Sequence, residues 1–308
     1  MRTVVLAGGT GGAKLAAGIR TIVPGGHVTV VANTADDDEF WGLLVCPDVD
    51  AAIYRLAGVF NENAGYGVEG DSFRVLDELA RLGGQAWFRV GDKDLATHVL
   101  RADMLRRGST LTEASLELCR RFGVDTPVLP MSDEPVRTRF LTDKGELSFQ
   151  EYFVRERLAP ALQRIEFAGV DSARPTREVL AALDEADLIV IGPSNPLISI
   201  APILKVIGSH LPRDRTTAVT PIVGGMALKG PTVEMLRAMG TEPTPLEVAR
   251  TYRDLAAGFV LDSRDSGLRS AIEDLGYRTL VCDTVMRDGG AALAAAILGA
   301  FGGAAGSA

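Results

Sequence analysis

The chain has 308 residues and a formal net charge of −8, with 46% hydrophobic and 23% charged residues. That balance excludes wholesale disorder, and the acidic excess excludes a protein that follows nucleic-acid phosphates over a broad basic surface. Cys46, Cys119 and Cys282 are far apart and form no CxxC pair, so neither a disulfide framework nor a zinc site is expected.

No apolar stretch is long enough to span a bilayer and the chain opens directly on a strand, so a cytoplasmic protein with no membrane partner is expected. Val4-Val5-Leu6-Ala7 reads as that strand. It breaks into Gly8-Gly9-Thr10-Gly11-Gly12 and resumes at helical spacing over 12–22, with Leu15, Ile19 and Ile22 on one face. Glycines let backbone N–H groups approach an anion at the positive end of the following helix, so the natural cargo is a phosphate. The alternative is a tight βα turn with no ligand. Lys14 stands where a dinucleotide fingerprint needs its third glycine, and Leu15 where a phosphate loop needs Ser or Thr.

A second strand over 28–32 runs into Asn33-Thr34-Ala35-Asp36-Asp37-Asp38-Glu39, beside the glycine loop, where an acid can hold a ribose hydroxyl or a metal. Asp37, Asp38 and Glu39 read as solvated. Cys46-Pro47-Asp48-Val49-Asp50 leads into a helix from Ala51. Either acid can cap that helix, Asp50 being better placed, or the two can share one Mg²⁺, which takes few protein ligands and keeps its waters.

A helix is expected over 71–81 and a short strand over 87–90. Then comes Gly91-Asp92-Lys93-Asp94-Leu95-Ala96-Thr97-His98, in which Asp92 and Asp94 can cap a helix while Lys93, Thr97 and His98 offer donors suited to a phosphate. Thr110 and Glu113 form a capping box. After Val128-Leu129-Pro130 and Met131-Ser132-Asp133, residues 138–141 and 146–150 alternate around Thr142-Asp143-Lys144-Gly145 as a hairpin.

This hairpin interrupts the βα alternation. An inserted α+β subdomain is therefore expected over 131–185, a lid or an inert decoration, between core segments 1–130 and 186–301. A helix over 175–185 and a buried strand over 188–191 lead to Gly192-Pro193-Ser194-Asn195-Pro196, where two prolines stiffen the loop that carries Ser194, Asn195 and Ser199. Pro221-Ile222-Val223-Gly224-Gly225 repeats the pattern. Two further helix and strand pairs follow (245–255 then 259–261; 266–275 then 277–282), with a last helix over 291–301 and a disordered tail over 302–308. The sum is an α/β fold, a doubly wound, mostly parallel Rossmann-like sheet with a ligand cleft along its carboxyl edge.

Taken in order, these loops resemble the 2-phospho-L-lactate transferase family of coenzyme F-420 biosynthesis, called CofD in archaea and FbiA in mycobacteria. The likeness covers nearly the whole chain. It is carried by the glycine loop, Asn33-Thr34-Ala35, the Pro47-Asp48-Val49-Asp50 turn, Gly91 to His98, Met131-Ser132-Asp133, and the loops at 192–196 and 221–225. The resemblance implies transfer of a phospholactyl or phosphoenolpyruvyl group from a guanosine diphosphate-linked three-carbon acid to the terminal ribityl hydroxyl of the deazaflavin Fo. The products would be F420-0 or its dehydro form and GMP, with Mg²⁺ required, small-molecule substrates as partners and a homodimer as the assembly.

Residue by residue, the resemblance implies Asp48 and Asp50 as metal ligands and catalytic carboxylates. It implies Asp50, Lys93, Ser132 and Asp133 at Fo. Gly9, Thr10, Gly11, Gly12, Lys14, Asn33, Asp36, Thr97, His98, Ser194 and Asn195 would contact the nucleotide and its diphosphate. A competing reading is a nucleotide-sugar-binding regulator of the YvcK type, without turnover. Its second loop carries Ser-Ser-Gly after two Asp residues, where this chain has Asp38-Glu39-Phe40 after Asp36 and Asp37. An NAD-dependent oxidoreductase is weakened by the missing third glycine.

Overall fold

The computed structural model describes residues 1–227 and 230–303; residues 304–308 of the expected tail lie outside the described residues. Seven strands build the main sheet: β1 (Thr3–Ala7), β2 (Val28–Ala32), β3 (Val128–Pro130), β4 (Leu188–Ile191), β5 (Thr216–Val219), β6 (Gly258–Asp262) and β7 (Arg278–Cys282). They lie in the order β7-β6-β5-β4-β1-β2-β3, and every neighbouring pair is parallel. β1 and β4 are buried along their whole length, as apolar runs covered on both faces must be.

Side chains alternate across β1. Val4 and Leu6 join one apolar cluster with Ile189, Ile191 and Ile203, while Val5 and Ala7 join another with Leu15, Ile19, Val30, Ile53 and Ile297. The chain winds outward from β1 to β3 and then returns to β4 on the other flank of β1. The loops after β1 and β4 therefore leave the sheet side by side where the winding reverses, which is where a doubly wound sheet opens its ligand crevice.

Five helices flank the first half: α1 (Gly9–Arg20), α2 (Pro47–Leu56), α3 (Arg74–Arg81), α4 (Asp92–Arg106) and α5 (Leu111–Arg121). α1 starts three residues before the expected position, so most of the glycine run is its first turn. α2 starts at Pro47, whose fixed φ suits a first helical position, and this draws Asp48 and Asp50 into the helix itself. The strand expected over 87–90 does not form. Phe88 instead stacks on Phe40 at 3.9 Å between ring centroids. Phe40 belongs to a hairpin, Asp38–Phe40 with Leu43–Val45, whose turn residues Trp41 and Gly42 both have positive φ, as a tight hairpin turn requires.

The hairpin expected after residue 137 forms, with Arg137–Thr142 pairing Gly145–Ser148 on one side and Leu162–Ala168 on the other. This small sheet docks on the loop after β2: Thr138 N donates to Ala35 O at 2.7 Å, Gln150 Nε2 to Asp36 O at 3.0 Å and Ser148 Oγ to Asp38 Oδ2 at 3.0 Å. The helix Arg177–Glu185 then returns to the main sheet through Val179 and Leu183. Near the end, a 3₁₀ turn (Ser263–Leu268) precedes a shorter helix, Arg269–Glu273, than the one expected over 266–275. Among the described residues, no helix is long and apolar enough to cross a membrane.

Candidate active site

The loops after β1 and β4 touch so closely that side chains are excluded. A Cβ on Gly11 would lie 2.2 Å from the Pro193 carbonyl oxygen, and one on Gly192 would lie 2.8 Å from Gly12 Cα. Gly12 N donates to Ser194 Oγ at 3.2 Å. Three residues earlier, Gly9 takes φ +74°, and its N–H donates to Asp48 Oδ1 at 2.6 Å. The other Asp48 oxygen accepts from Asn33 Nδ2 at 2.9 Å, while Asn33 Oδ1 is taken by Ala35 N. Asp48 is thus held between the positive end of α1 and the loop after β2.

Asp36 lies beside it, and Asp37 beside Asp36. Burial pushes the Asp48 carboxyl up to about 6, although Asn33 and the Gly9 amide work against the shift. Asp36 is pushed well above the usual carboxylate range by burial and by the charge of Asp48. Asp37, read from the sequence as solvated, is 2% exposed, because the hairpin at 38–45 and the small sheet fold over it. Burial raises its carboxyl to about 8, against the pull of Arg137, the Cys46 thiol and Arg101. Apart from that weak thiol, no described group donates to either Asp37 oxygen. Two neighbouring buried carboxylates, one raised by the charge of the other, fit a hard divalent cation, and Asp36 and Asp48 are the residues that would hold it.

Asp50 faces elsewhere. Residues two apart on a helix project about 200° apart, so Asp48 and Asp50 cannot point the same way from α2. The two carboxylates, expected to share one Mg²⁺, accordingly take different partners here. Asp50 Oδ1 pairs with Arg101 Nη2, and Oδ2 lies 3.6 Å from His98 Nδ1. His98 Nε2 lies 3.4 Å from Asp94 Oδ1, which also accepts from the Tyr54 hydroxyl at 2.8 Å. Burial works to raise Asp94, but His98, Tyr54 and Arg101 outweigh it and hold the carboxyl below its ordinary range.

Thr97 lies against Tyr54 in the same seam between α2 and α4. His98, expected at the diphosphate, lies between Asp50 and Asp94 in this seam. Arg101, not among the expected residues, is completely buried in this group. Its signal was present: Asp94, His98 and Arg101 fall at i, i+4 and i+7, one face of α4.

The remaining expected residues fall in several places. Lys93 is exposed, and its Nζ donates to Glu69 O at 3.0 Å. Asp92 does not cap α4 as expected; it accepts from Ser72 Oγ, Arg74 N and Val75 N at the start of α3. Asp71 caps α4 in exchange, accepting from Lys93 N and Asp94 N. Ser132 Oγ donates to Glu134 at 2.6 Å, and Asp133 accepts from Thr112 N at the start of α5. Asp133 also borders a cavity of about 290 Å³ shared with Thr34, Asp37 and Arg137. Asn195 caps the turn at Pro196–Ile200, and Lys14 lies near Asp288. The glycine turn, Ser194, Asn33, Asp36 and Asp48 come together; Asp50, Thr97 and His98 form a second, adjoining group.

This arrangement offers backbone donors and acidic oxygens to a metal-bound diphosphate on one side of α2, and a clamped carboxylate on the other. Comparison with known proteins places the chain in a family. A family profile described as 2-phospho-L-lactate transferase CofD matches residues 3–276. The chain is 38% identical over 285 residues to a 2-phospho-L-lactate transferase of Methanosarcina acetivorans, covering 92% of this chain and 93% of that one. It is 39% identical over 301 residues to a phosphoenolpyruvate transferase of Streptomyces griseus, covering 94% of each. Among solved structures, a UPF0052 family protein from Bacillus halodurans matches with a TM-score of 0.62 at 18% identity, covering 96% of this chain and 98% of that one, a likeness of fold alone.

Proposed function

The chain belongs to the 2-phospho-L-lactate transferase CofD family, and from that premise we propose that it transfers a phospholactyl or phosphoenolpyruvyl group from a guanosine diphosphate-linked donor to the deazaflavin Fo. The observation that carries the reading is the Asp48 carboxylate held against the Gly9 amide and Asn33, with Asp36 beside it. Fo attacks through its terminal ribityl hydroxyl. A bond forms from that oxygen to the phosphorus bearing the three-carbon acid, the bond from phosphorus to the GMP oxygen breaks, and GMP leaves.

Such a reaction needs charge neutralisation and in-line positioning more than covalent chemistry. The α1 amides and Ser194 would line the diphosphate, and Asp36 and Asp48 would hold Mg²⁺, which when bound neutralises phosphate charge. Asp50 Oδ2 is buried with no hydrogen-bond partner among the described residues, so it is suited to accept the proton of the attacking hydroxyl. Lys93, at the exposed start of α4, would meet Fo nearer the surface.

Titration of the protein with Fo, followed by the fluorescence of Fo itself, tests the reading. Saturable binding strengthened by GDP and Mg²⁺ is expected; no binding at high concentration supports the nucleotide-sugar regulator instead.

A further inference from the structure

Beneath Asp50 lies the Arg101 guanidinium, completely buried. Nη2 pairs with Asp50 Oδ1, and Nη1 donates to Leu44 O at 3.2 Å and lies 3.3 Å from His98 Nδ1. One planar group thus ties α2, α4 and the hairpin at 38–45 together. A cation could be imagined among Asp50, Asp94 and His98, whose ligand atoms lie within 4.8 Å of one another. The guanidinium already on Asp50 opposes a second positive charge there. Its two arms diverge, Nη2 to Asp50 and Nη1 to Leu44 O, so the rigid guanidinium holds Oδ1 in a place that the point charge of an ammonium does not reproduce. Oδ2 is left as the single Asp50 oxygen without a partner.

We propose that Arg101 is a positioning residue that locks the Asp50 carboxylate so that Oδ2 faces the acceptor hydroxyl, and that it keeps the divalent cation on Asp48. The proposal rests on the transferase reading above. It differs from a structural role because Arg101 then acts on turnover only through Asp50.

A double-mutant cycle separates the two. Turnover of Fo with the guanylylated donor is measured per folded molecule for the wild type, Arg101→Met, Asp50→Asn and the double variant, with Arg101→Lys as a variant that keeps the buried charge and loses the fork. Arg101→Met is expected to lower kcat about 100-fold with the Fo KM moved less than about 3-fold, and to cost less than about 3-fold more in the Asp50→Asn background. Arg101→Lys is expected to recover only a small part of kcat. Should Arg101→Met fail to fold, the same cycle is run with Arg101→Lys.

Binding of Mn²⁺, followed by its electron paramagnetic resonance signal, gives a second readout. Its affinity is expected to survive Asp50→Asn and to fall in Asp48→Asn. Losses that multiply across the cycle, or Mn²⁺ affinity that falls equally in both Asp variants, overturn the proposal while leaving the transferase reading in place. A wild-type protein that binds Fo and donor without turnover overturns that reading, and the proposal with it.

Discussion

Asp48 is the residue on which the proposed substrate and metal meet the scaffold. Its two oxygens are held by Gly9 and Asn33, and burial lifts its carboxyl to about 6. Asp48→Asn keeps the shape and removes the charge. Turnover is expected to fall by at least about 100-fold while the melting temperature stays within a few degrees, checked by steady-state kinetics beside thermal unfolding. Because Asp48 and Asp36 must both be ionised to hold the cation, turnover in limiting Mg²⁺ should rise with pH through about 6 and beyond. A profile flat from pH 5 to 8 contradicts this role. At this scale the sequence was readable where function sits on short motifs: Asn33, Asp48 and the glycines stand out by their position after strands. Asp37 was misread because the hairpin that buries it is not visible in the local pattern. Arg101 was missed because its partner is on another helix, 51 residues away.

Between elements, the starts of α3 and α4 exchange caps. Asp92 serves α3, Asp71 serves α4, and Gly91 leaves the room, since a Cβ there would lie 2.1 Å from Asp71 Oδ2. Asp71→Ala removes two acceptors from first-turn amides of α4, one of them on Lys93. It is expected to cost about 1 kcal/mol in urea unfolding and to raise the KM for Fo with little change in kcat. An unchanged KM separates the cap from Lys93 placement. Gly11→Ala is expected to abolish soluble expression or turnover, because the added methyl meets the backbone of Pro193 rather than a side chain that can move aside. Strands β1, β2 and β4 were legible as apolar runs bounded by glycine. The start of α1 was not, because glycines that read as helix breakers here fill its first turn beneath a neighbouring loop. The cap exchange was equally hidden, since an acid before a helix reads as that helix's own cap.

Across the whole molecule, the site places a cost on the cation-free fold. Asp36, Asp37 and Asp48 all have carboxyls raised above their unfolded values, so the folded state binds more protons than the unfolded state at intermediate pH. Stability of the cation-free protein must then fall as pH rises from about 4, through about 6 for Asp48 and about 8 for Asp37. A divalent cation binding the ionised carboxylates would reverse the trend. Calorimetry with and without MgCl₂ should therefore show the larger stabilisation at pH 8 and little at pH 5; equal stabilisation at both contradicts the carboxylate cluster as the site. The doubly wound topology was legible because helices and strands alternate along the chain. The docking of the small sheet on the loop after β2 was not, because it depends on contacts between segments about 100 residues apart.

The most direct measurement is mass spectrometry of a reaction containing Fo, the guanylylated donor and Mg²⁺. The expected result is a new species with the mass of Fo plus a phospholactyl or phosphoenolpyruvyl group, formed one for one with GMP and lost when Asp48 is replaced by Asn. No such species, while Fo and donor both bind the protein, contradicts group transfer at this site.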